Sequence, residues 1–384
     1  MMMPCRPSEA RVKSKVALVR CPDYGHQTLT KAVRDSFSLI GGLGSIIKKK
    51  DLVLIKPNLL AAKRPDQAIT THPEVVAATV EEVKKVGGRP VIGDSPGGVR
   101  QDLKEVWSTT GMQEISERTG ASLVSMEASG SWRKTRSGQV YYISKVAMEA
   151  DVILNLPKLK THSLVLFTGA VKNMFGVIPG FHKKEIHLNN PRAAPFSAAL
   201  VDIFSFVVPQ ITLMDAVEGM EGDGPSSGVK RKVGLLLAGR DAVAVDAVAA
   251  LAVGIDPLEI HTCQMAARRG LGVSSPNLIE VVGDSLENLM IKEFIRPRTS
   301  LSSRIPKPLA QLVKRFVYIR PQVLAEICTN CNTCVESCPT GALSPGSTYP
   351  QFRPRKCIGC LCCNELCPQS AIKPKLSLLA RLAH

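Results

Sequence analysis

Nine of the chain's twelve cysteines fall within forty residues, in "CTNCNTCVESCPTGAL" and "CIGCLCCNELCPQSAI". The first run sets Cys328, Cys331 and Cys334 at two-residue gaps, then Cys338 after three more residues, then Pro339. The second repeats the pattern with Cys357, Cys360, Cys363, Cys367 and Pro368. Two-residue gaps let a short turn wrap three thiolates around one cubane, while the cysteine before proline reaches across to another. The spacing therefore predicts two [4Fe–4S] clusters. One would sit on Cys328, Cys331, Cys334 and Cys367, the other on Cys338, Cys357, Cys360 and Cys363. Cys362 breaks the spacing and reads as a spacer. Zinc would favour isolated C-x2-C pairs. Disulfides would need an oxidising compartment, and "MMMPCRPSEARVKSK" lacks the apolar core of an export signal. Cys5, Cys21 and Cys263 stand apart and read as ordinary thiols.

A second set of candidates lies upstream, where polar residues follow short apolar runs. Lys56 and Asn58 follow the run at 51–57, and Asp94, Ser95, Gly97 and Gly98 follow that at 89–95. The densest stretch is "NLPKLKTHSLVLFTGAVKNMFGVIPGFHKKEIH". Lys158, Lys160 and His162 alternate along an extended segment and would share one face. "FTGAVKNMFG" looks like a helix start that contributes Lys172 and Asn173, and His182, Lys183, Lys184 and His187 would follow in a loop. Cations beside a helix N-terminus suit a carboxylate or phosphate, and His or Lys can transfer protons. A solvated basic loop is the competing reading. Catalytic roles are assigned to Lys158, Lys160, His162 and Lys172. "MDAVEGMEGDGP" is expected to be an acidic loop in which Asp215, Glu218, Glu221 and Asp223 could bind a divalent cation, Asp215 above all. The "GDSPGG" turn lacks both G-x-G-x-x-G and a P-loop lysine, so it does not indicate a nucleotide.

These residues need a scaffold. Apolar, β-branched runs at 15–21, 51–57, 89–95, 121–126, 151–157, 210–216, 232–239 and 278–284 read as strands. Between them, "THPEVVAATVEEVKKVGG" reads as a helix with a capping box from Thr71 to Glu74 and a glycine stop. Residues 241–254 read as a buried, alanine-rich helix. The predicted fold is α/β, a mostly parallel sheet flanked by helices, followed by a small α+β ferredoxin-like 2[4Fe–4S] module. The expected domains are 1–290 and 326–384. Between them, 291–325 is a basic, proline-containing linker with a helix near 309–318.

The formal charge of +16 invites a nucleic-acid partner. Two oxidised four-thiolate clusters would carry about −2 apiece, leaving about +12. Aromatics are only 4%, too few for stacking platforms. The excess is concentrated in residues 291–384, with 14 Lys/Arg against 4 Asp/Glu. Basic residues beside clusters suit an acidic redox partner better than nucleic acid. No apolar stretch approaches the roughly 18–20 residues that span a bilayer, and the clusters need a reducing compartment, so the expected location is cytoplasmic. The terminal "LSLLARLAH" reads as a frayed tail.

Residues 326–374 resemble bacterial-type two-cluster ferredoxins, including the small residues in "PTGAL" and "PQSAI". "KPNLL", "THPEVVAATVEEVKKVGGRPVIGDSPGG", "ILNLPKLKTHSLVLFTGAVKNMFGVIPG", "MDAVEGMEGDGP" and "AGRDAVAVDAVAA" resemble the iron–sulfur centre proteins of the domain of unknown function numbered 362. The resemblance spans roughly residues 15–285 and implies architecture and redox character, with no substrate and no catalytic residues. The function expected from the residues is a reductase passing single electrons through two clusters to an anionic small molecule at the strand ends. An additional divalent metal or cofactor could sit there. The alternative is a non-catalytic electron-transfer or assembly protein docking an acidic oxidoreductase.

Overall fold

The structure is a computed structural model that describes residues 13–97, 102–299 and 318–377. In chain order its first strands are β1 (Ser14–Arg20), β2 (Leu52–Pro57), β3 (Arg89–Ile92), β4 (Ser122–Leu123), β5 (Ser131–Arg136) and β6 (Gln139–Ser144). Then come β7 (Val152–Leu156), β8 (Lys158–His162), β9 (Leu166–Thr168), β10 (Ile211–Glu221), β11 (Val229–Gly239) and β12 (Ile279–Gly283). Ten strands form one sheet along the path β12-β1-β11-β10-β7-β2-β3-β4, with β8 joined to β10 and β9. β10, β7, β2, β3 and β4 run parallel in succession, as do β1 and β12. β11 runs antiparallel to β1 and β10. The fold is thus the expected mostly parallel α/β sheet.

The strands read as continuous apolar runs because helices cover both faces. Val16, Leu18 and Leu54 point into one buried layer, beneath the helices Ala193–Phe204, Ala242–Ala252 and His261–Arg268. Ala17, Val19, Val53 and Ile55 point into the other, beneath His26–Leu39 and Pro73–Lys85. Asp241 caps the alanine-rich helix by accepting from Val243 and Ala244 N–H. The expected Thr71–Glu74 capping box is not formed. Pro73 takes the first helical position, which makes His72 the cap, and its imidazole accepts from Glu74 N–H. Thr71 instead donates its hydroxyl to Leu156 O and accepts from Asn58 N–H, tying two strand ends together.

The C-terminal unit is small and cysteine-rich. β13 (Ile319–Val323) pairs antiparallel with β16 (Ile372–Leu376), and β14 (Leu343–Ser344) with β15 (Gln351–Phe352). The short helices Thr333–Glu336 and Cys362–Leu366 complete it. Within the stretch expected as linker, β13 belongs to this unit, while Phe294 is buried and Ile295 accepts from Gly222 N–H and donates its own N–H to the Glu221 carboxylate. Cys5, Gly98, residues 309–317 of the helix expected near 309–318, and the tail after Ser377 lie outside the described residues. Among the described residues, no helix is long and apolar enough to cross a membrane.

Candidate functional site

Two apolar cavities in the C-terminal unit gather the cysteines. One, of about 330 Å³ counted with its open mouth, is lined by Cys328, Cys331, Cys334 and Cys367, with Val323, Ala371 and Ile372 in its walls. The other, of about 350 Å³ counted the same way, is lined by Cys338, Cys357, Cys360 and Cys363, with Leu343 and Phe352. The two quartets match the crossed pattern, each short run supplying three and the cysteine before proline crossing over. Left-handed residues at Asn330, Asn332, Gly359 and Leu361 curl the loops around the cavities. Ala342 N–H donates to Cys338 Sγ (3.2 Å) and Ala371 N–H to Cys367 Sγ (3.1 Å), the kind of bond that steadies a cluster thiolate. Donor chemistry, walls and N–H···S bonds all fit [4Fe–4S] groups. Cys362, read as a spacer, is buried in the wall of the second cavity.

The same residue faces the other way into a cleft of about 640 Å³, counted with its open mouth, between this unit and the sheet. The C-terminal unit contributes Ser337, Cys362, Glu365 and Leu366; the α/β unit contributes Asn58, Asp94, Lys172, Phe175, Lys183 and His187, among others. The cleft lies beyond the C-terminal ends of parallel β2, β3 and β7, where open α/β sheets bind ligands. Hydrogen bonds hold the two units together across the seam. Ser226 donates to Asn364 O (2.9 Å), Ser370 to Ser226 O (2.8 Å), Lys373 to Ser227 O (2.7 Å) and Lys184 to Glu336 O (3.0 Å). Lys63 donates to Pro368 O. Gly97 lets the "GDSPGG" turn pack on this unit, because a Cβ there would lie 2.3 Å from Leu366 Cδ2.

Charge is unusually dense behind the cleft. Lys56 pairs with Asp94 at 2.6 Å, both buried. Gly176 covers that pair, and a Cβ on it would lie 1.9 Å from Asp94 Oδ1. Lys172 meets Glu365 at 3.4 Å, and His162 Nε2 lies 3.7 Å from the other carboxylate oxygen. Burial would raise the Glu365 carboxyl, but Lys172 and then His162 hold it well below its usual range. Burial pushes His162 down to about 4, so it is neutral, and its Nδ1 accepts from Leu164 and Val165 N–H. The proton therefore sits on Nε2, facing Glu365. Burial also lowers Lys160 to about 7, with Lys172 adding to the effect, and Lys183 to about 8. Lys160 donates to Asn58 Oδ1 and Ile69 O, Lys183 to Ser95 O and Pro96 O. Buried His187 packs on Phe196, and its Nδ1 has no hydrogen-bond partner among the described residues.

The structure sorts the sequence candidates. Of the four assigned catalytic roles, Lys172 lines the cleft; Lys158, Lys160 and His162 are buried behind it. Lys158 is committed to Asp215 (2.9 Å) and the Tyr24 hydroxyl (2.8 Å). Asn173 holds the floor, bonded to Asn58 and Asn155. The expected loop around His182 to His187 is the helix Gly180–Asn189, with Lys183 and His187 toward the cleft and His182 stacked on Tyr142 instead. The helix start at Ala170 does not offer its N–H groups to a ligand, because buried Asp246 accepts from Ala170 and Val171. The expected acidic loop is strand β10 as far as Glu221. Its carboxylates are taken, Asp215 by Lys158, Glu218 by Lys230, Glu221 by Arg231 and Asp223 by Arg298. Sequence reasoning missed Glu365, although it is one of only four acids after residue 290 and sits between two predicted ligands.

The profile of the family described as Domain of unknown function (DUF362) matches residues 53–251, just over half of the chain. The chain belongs to this family. A second profile, the 4Fe-4S dicluster domain, matches residues 323–371. This DUF362 protein therefore carries an iron–sulfur dicluster domain, which implies electron transfer. It is 34% identical over 314 residues to the "Thylakoid-associated protein sll1697" of Synechocystis sp., covering 80% of this chain and 96% of that one. Among solved structures, the lactate racemase apoprotein of Thermoanaerobacterium thermosaccharolyticum aligns with 16% identity and a TM-score of 0.40. That alignment covers 67% of this chain and 57% of the other, a likeness too slight to extend further.

Proposed function

We propose that this DUF362 protein is a reductase that delivers single electrons from its cysteine-lined cavities to an anionic small molecule held in the cleft. The ligand sets proposed are Cys328, Cys331, Cys334 and Cys367 for one cluster, and Cys338, Cys357, Cys360 and Cys363 for the other. The observation that carries the reading is the position of Cys362, a wall of both the second cavity and the cleft. A [4Fe–4S] group, when bound, supplies or accepts one electron at a time. The chain's own residues do the rest. Lys172 and Lys183 supply positive charge for the ligand, and beside them is His187 Nδ1, which has no hydrogen-bond partner among the described residues. Phe175, Leu60 and Leu366 keep water away from its apolar part. Lys183, near 8, can hand a proton to a newly reduced ligand. Lys158 and His162 are positioning residues, acting through Asp215 and Glu365. The proposed setting is a reducing compartment, the cytoplasm, with a membrane surface as the second setting because the cyanobacterial relative is named as thylakoid-associated.

Titrating the anaerobically reduced protein with small carboxylates and phosphates, and following re-oxidation by visible absorbance, tests this. Saturable re-oxidation by at least one such anion is expected; none across the panel would contradict the reading. Affinity should also depend on pH. An anion favours the charged ammonium forms of Lys160 and Lys183, at about 7 and about 8. Binding is then strongest below those values and weakens as pH rises through them, by up to about tenfold per pH unit for each lysine that must be charged. A flat profile across that window would exclude both lysines from recognition.

A further inference from the structure

We infer that the basic face beside the second cysteine cavity docks an acidic single-electron carrier protein. Arg353, Arg355 and Lys356 are exposed in and just before the turn that delivers Cys357. The β13–β16 ribbon sets Arg320 and exposed Lys375 opposite each other, in register. The Arg320 guanidinium lies 3.9 Å from the centroid of the Tyr318 ring, which holds it in place. Tyr318, Arg320, Phe352 and Lys375 line a surface groove, and Phe352 is also a wall of the second cavity.

What distinguishes this face is that its charge is not neutralised. Among the described residues, none of the five cations pairs with a carboxylate, whereas the lysines behind the cleft are paired or hydrogen-bonded. The sequence has no Asp or Glu from Ser337 to Asn364. A single-signed patch raises the encounter rate with an oppositely charged surface about 10- to 1,000-fold, most strongly at low salt. The patch surrounds half-buried Cys357 and Cys360, and the exposed ring of Tyr318 is already occupied by the Arg320 guanidinium, so its chemistry suits a redox protein better than a nucleic acid.

The second cavity thus has two sides, the basic face at Phe352 and Cys357 and the cleft at Cys362. In the docked complex the reduced carrier loses one electron and the group in the cavity gains it. No bond forms or breaks, and no proton moves. The inference requires a cluster in the second cavity and is independent of what the cleft binds.

The test uses the cluster-loaded protein and an acidic plant-type [2Fe–2S] ferredoxin as probe, with both binding and stopped-flow electron transfer measured. Arg353→Glu/Arg355→Glu/Lys356→Glu is expected to weaken binding and slow transfer by at least about tenfold. Raising salt should do the same to the unsubstituted protein. Iron content and reduction by dithionite, which needs no docking surface, should be unchanged. The milder Arg353→Gln/Arg355→Gln/Lys356→Gln variant, expected to be intermediate, covers the case in which charge reversal costs the cluster. Unaltered binding and transfer in a cluster-replete variant would overturn the inference. Equal transfer from a basic carrier would also overturn it, as would single-stranded RNA binding that the reversal abolishes while leaving ferredoxin binding intact. If the cleft reading alone fails, anion turnover is absent while salt-sensitive ferredoxin binding persists.

Discussion

Asp215→Ala is expected to destabilise the α/β unit by about 3–5 kcal/mol, the usual cost of stranding one member of a buried ion pair. Asp215 and Lys158 are 0% and 1% exposed, so water cannot take over either role. The carboxylate also accepts from the Tyr24 hydroxyl (2.9 Å) and His72 N–H (2.9 Å), and so joins the end of β1, the start of a helix and β8 through one side chain. Tyr24 is further fixed by stacking on His72, with ring centroids 3.6 Å apart. Against a total stability of about 5–15 kcal/mol, the loss should be plain as a lowered thermal midpoint under anaerobic conditions. Lys158→Met should be comparably harmful alone. The double variant should recover part of the loss, since replacing both charges strands neither. Recovery stays incomplete because Tyr24 and His72 keep their lost acceptor. Equal and additive losses would mean that the pair is not coupled.

Lys172→Gln is expected to weaken anion binding in the cleft about 10- to 100-fold, because a charge-assisted hydrogen bond is worth about 1.5–3 kcal/mol. Lys172 has a structural task as well, as the nearest positive charge to buried Glu365. A companion variant separates the two roles. Lys172→Gln/Glu365→Gln leaves no stranded carboxylate and should regain thermal stability while anion affinity stays low. Calorimetric titration with phosphate or oxalate alongside melting makes the comparison. Affinity that returns together with stability would reduce Lys172 to a structural role.

The eight apolar runs read as strands are the eight on the main path of the sheet. They were legible because strands buried on both faces must be apolar along their whole length. β4 shrank to two residues at the sheet edge, where one neighbour is missing. β8 was legible only as an extended segment, since "KLKTH" owes its burial to partners far away in sequence, as in Lys158 to Asp215 and Lys160 to Asn58. The β5–β6 hairpin was missed although Ser137 and Gly138, both with positive φ, mark its two-residue turn. The cysteine quartets were readable because cluster chemistry fixes local spacing. The cleft was not, because it exists only where two units meet. Lys172 and Glu365 are 193 residues apart, and no local pattern announces their contact. The acidic stretch after "ITLM" misled for the same reason, since a carboxylate's identity does not reveal the cation already beside it.

Electron paramagnetic resonance of the anaerobically reduced protein, with and without a bound anion and with iron and sulfide counted on the same sample, tests most directly whether a cluster serves the cleft. About eight iron and eight sulfide per chain are expected, with two reduced cluster signals. Phosphate or oxalate should shift one of those signals, that of the group beside Cys362, and Lys172→Gln should abolish the shift. Iron near half that count, or spectra unmoved by an anion that calorimetry shows to be bound, would contradict a cluster that serves the cleft.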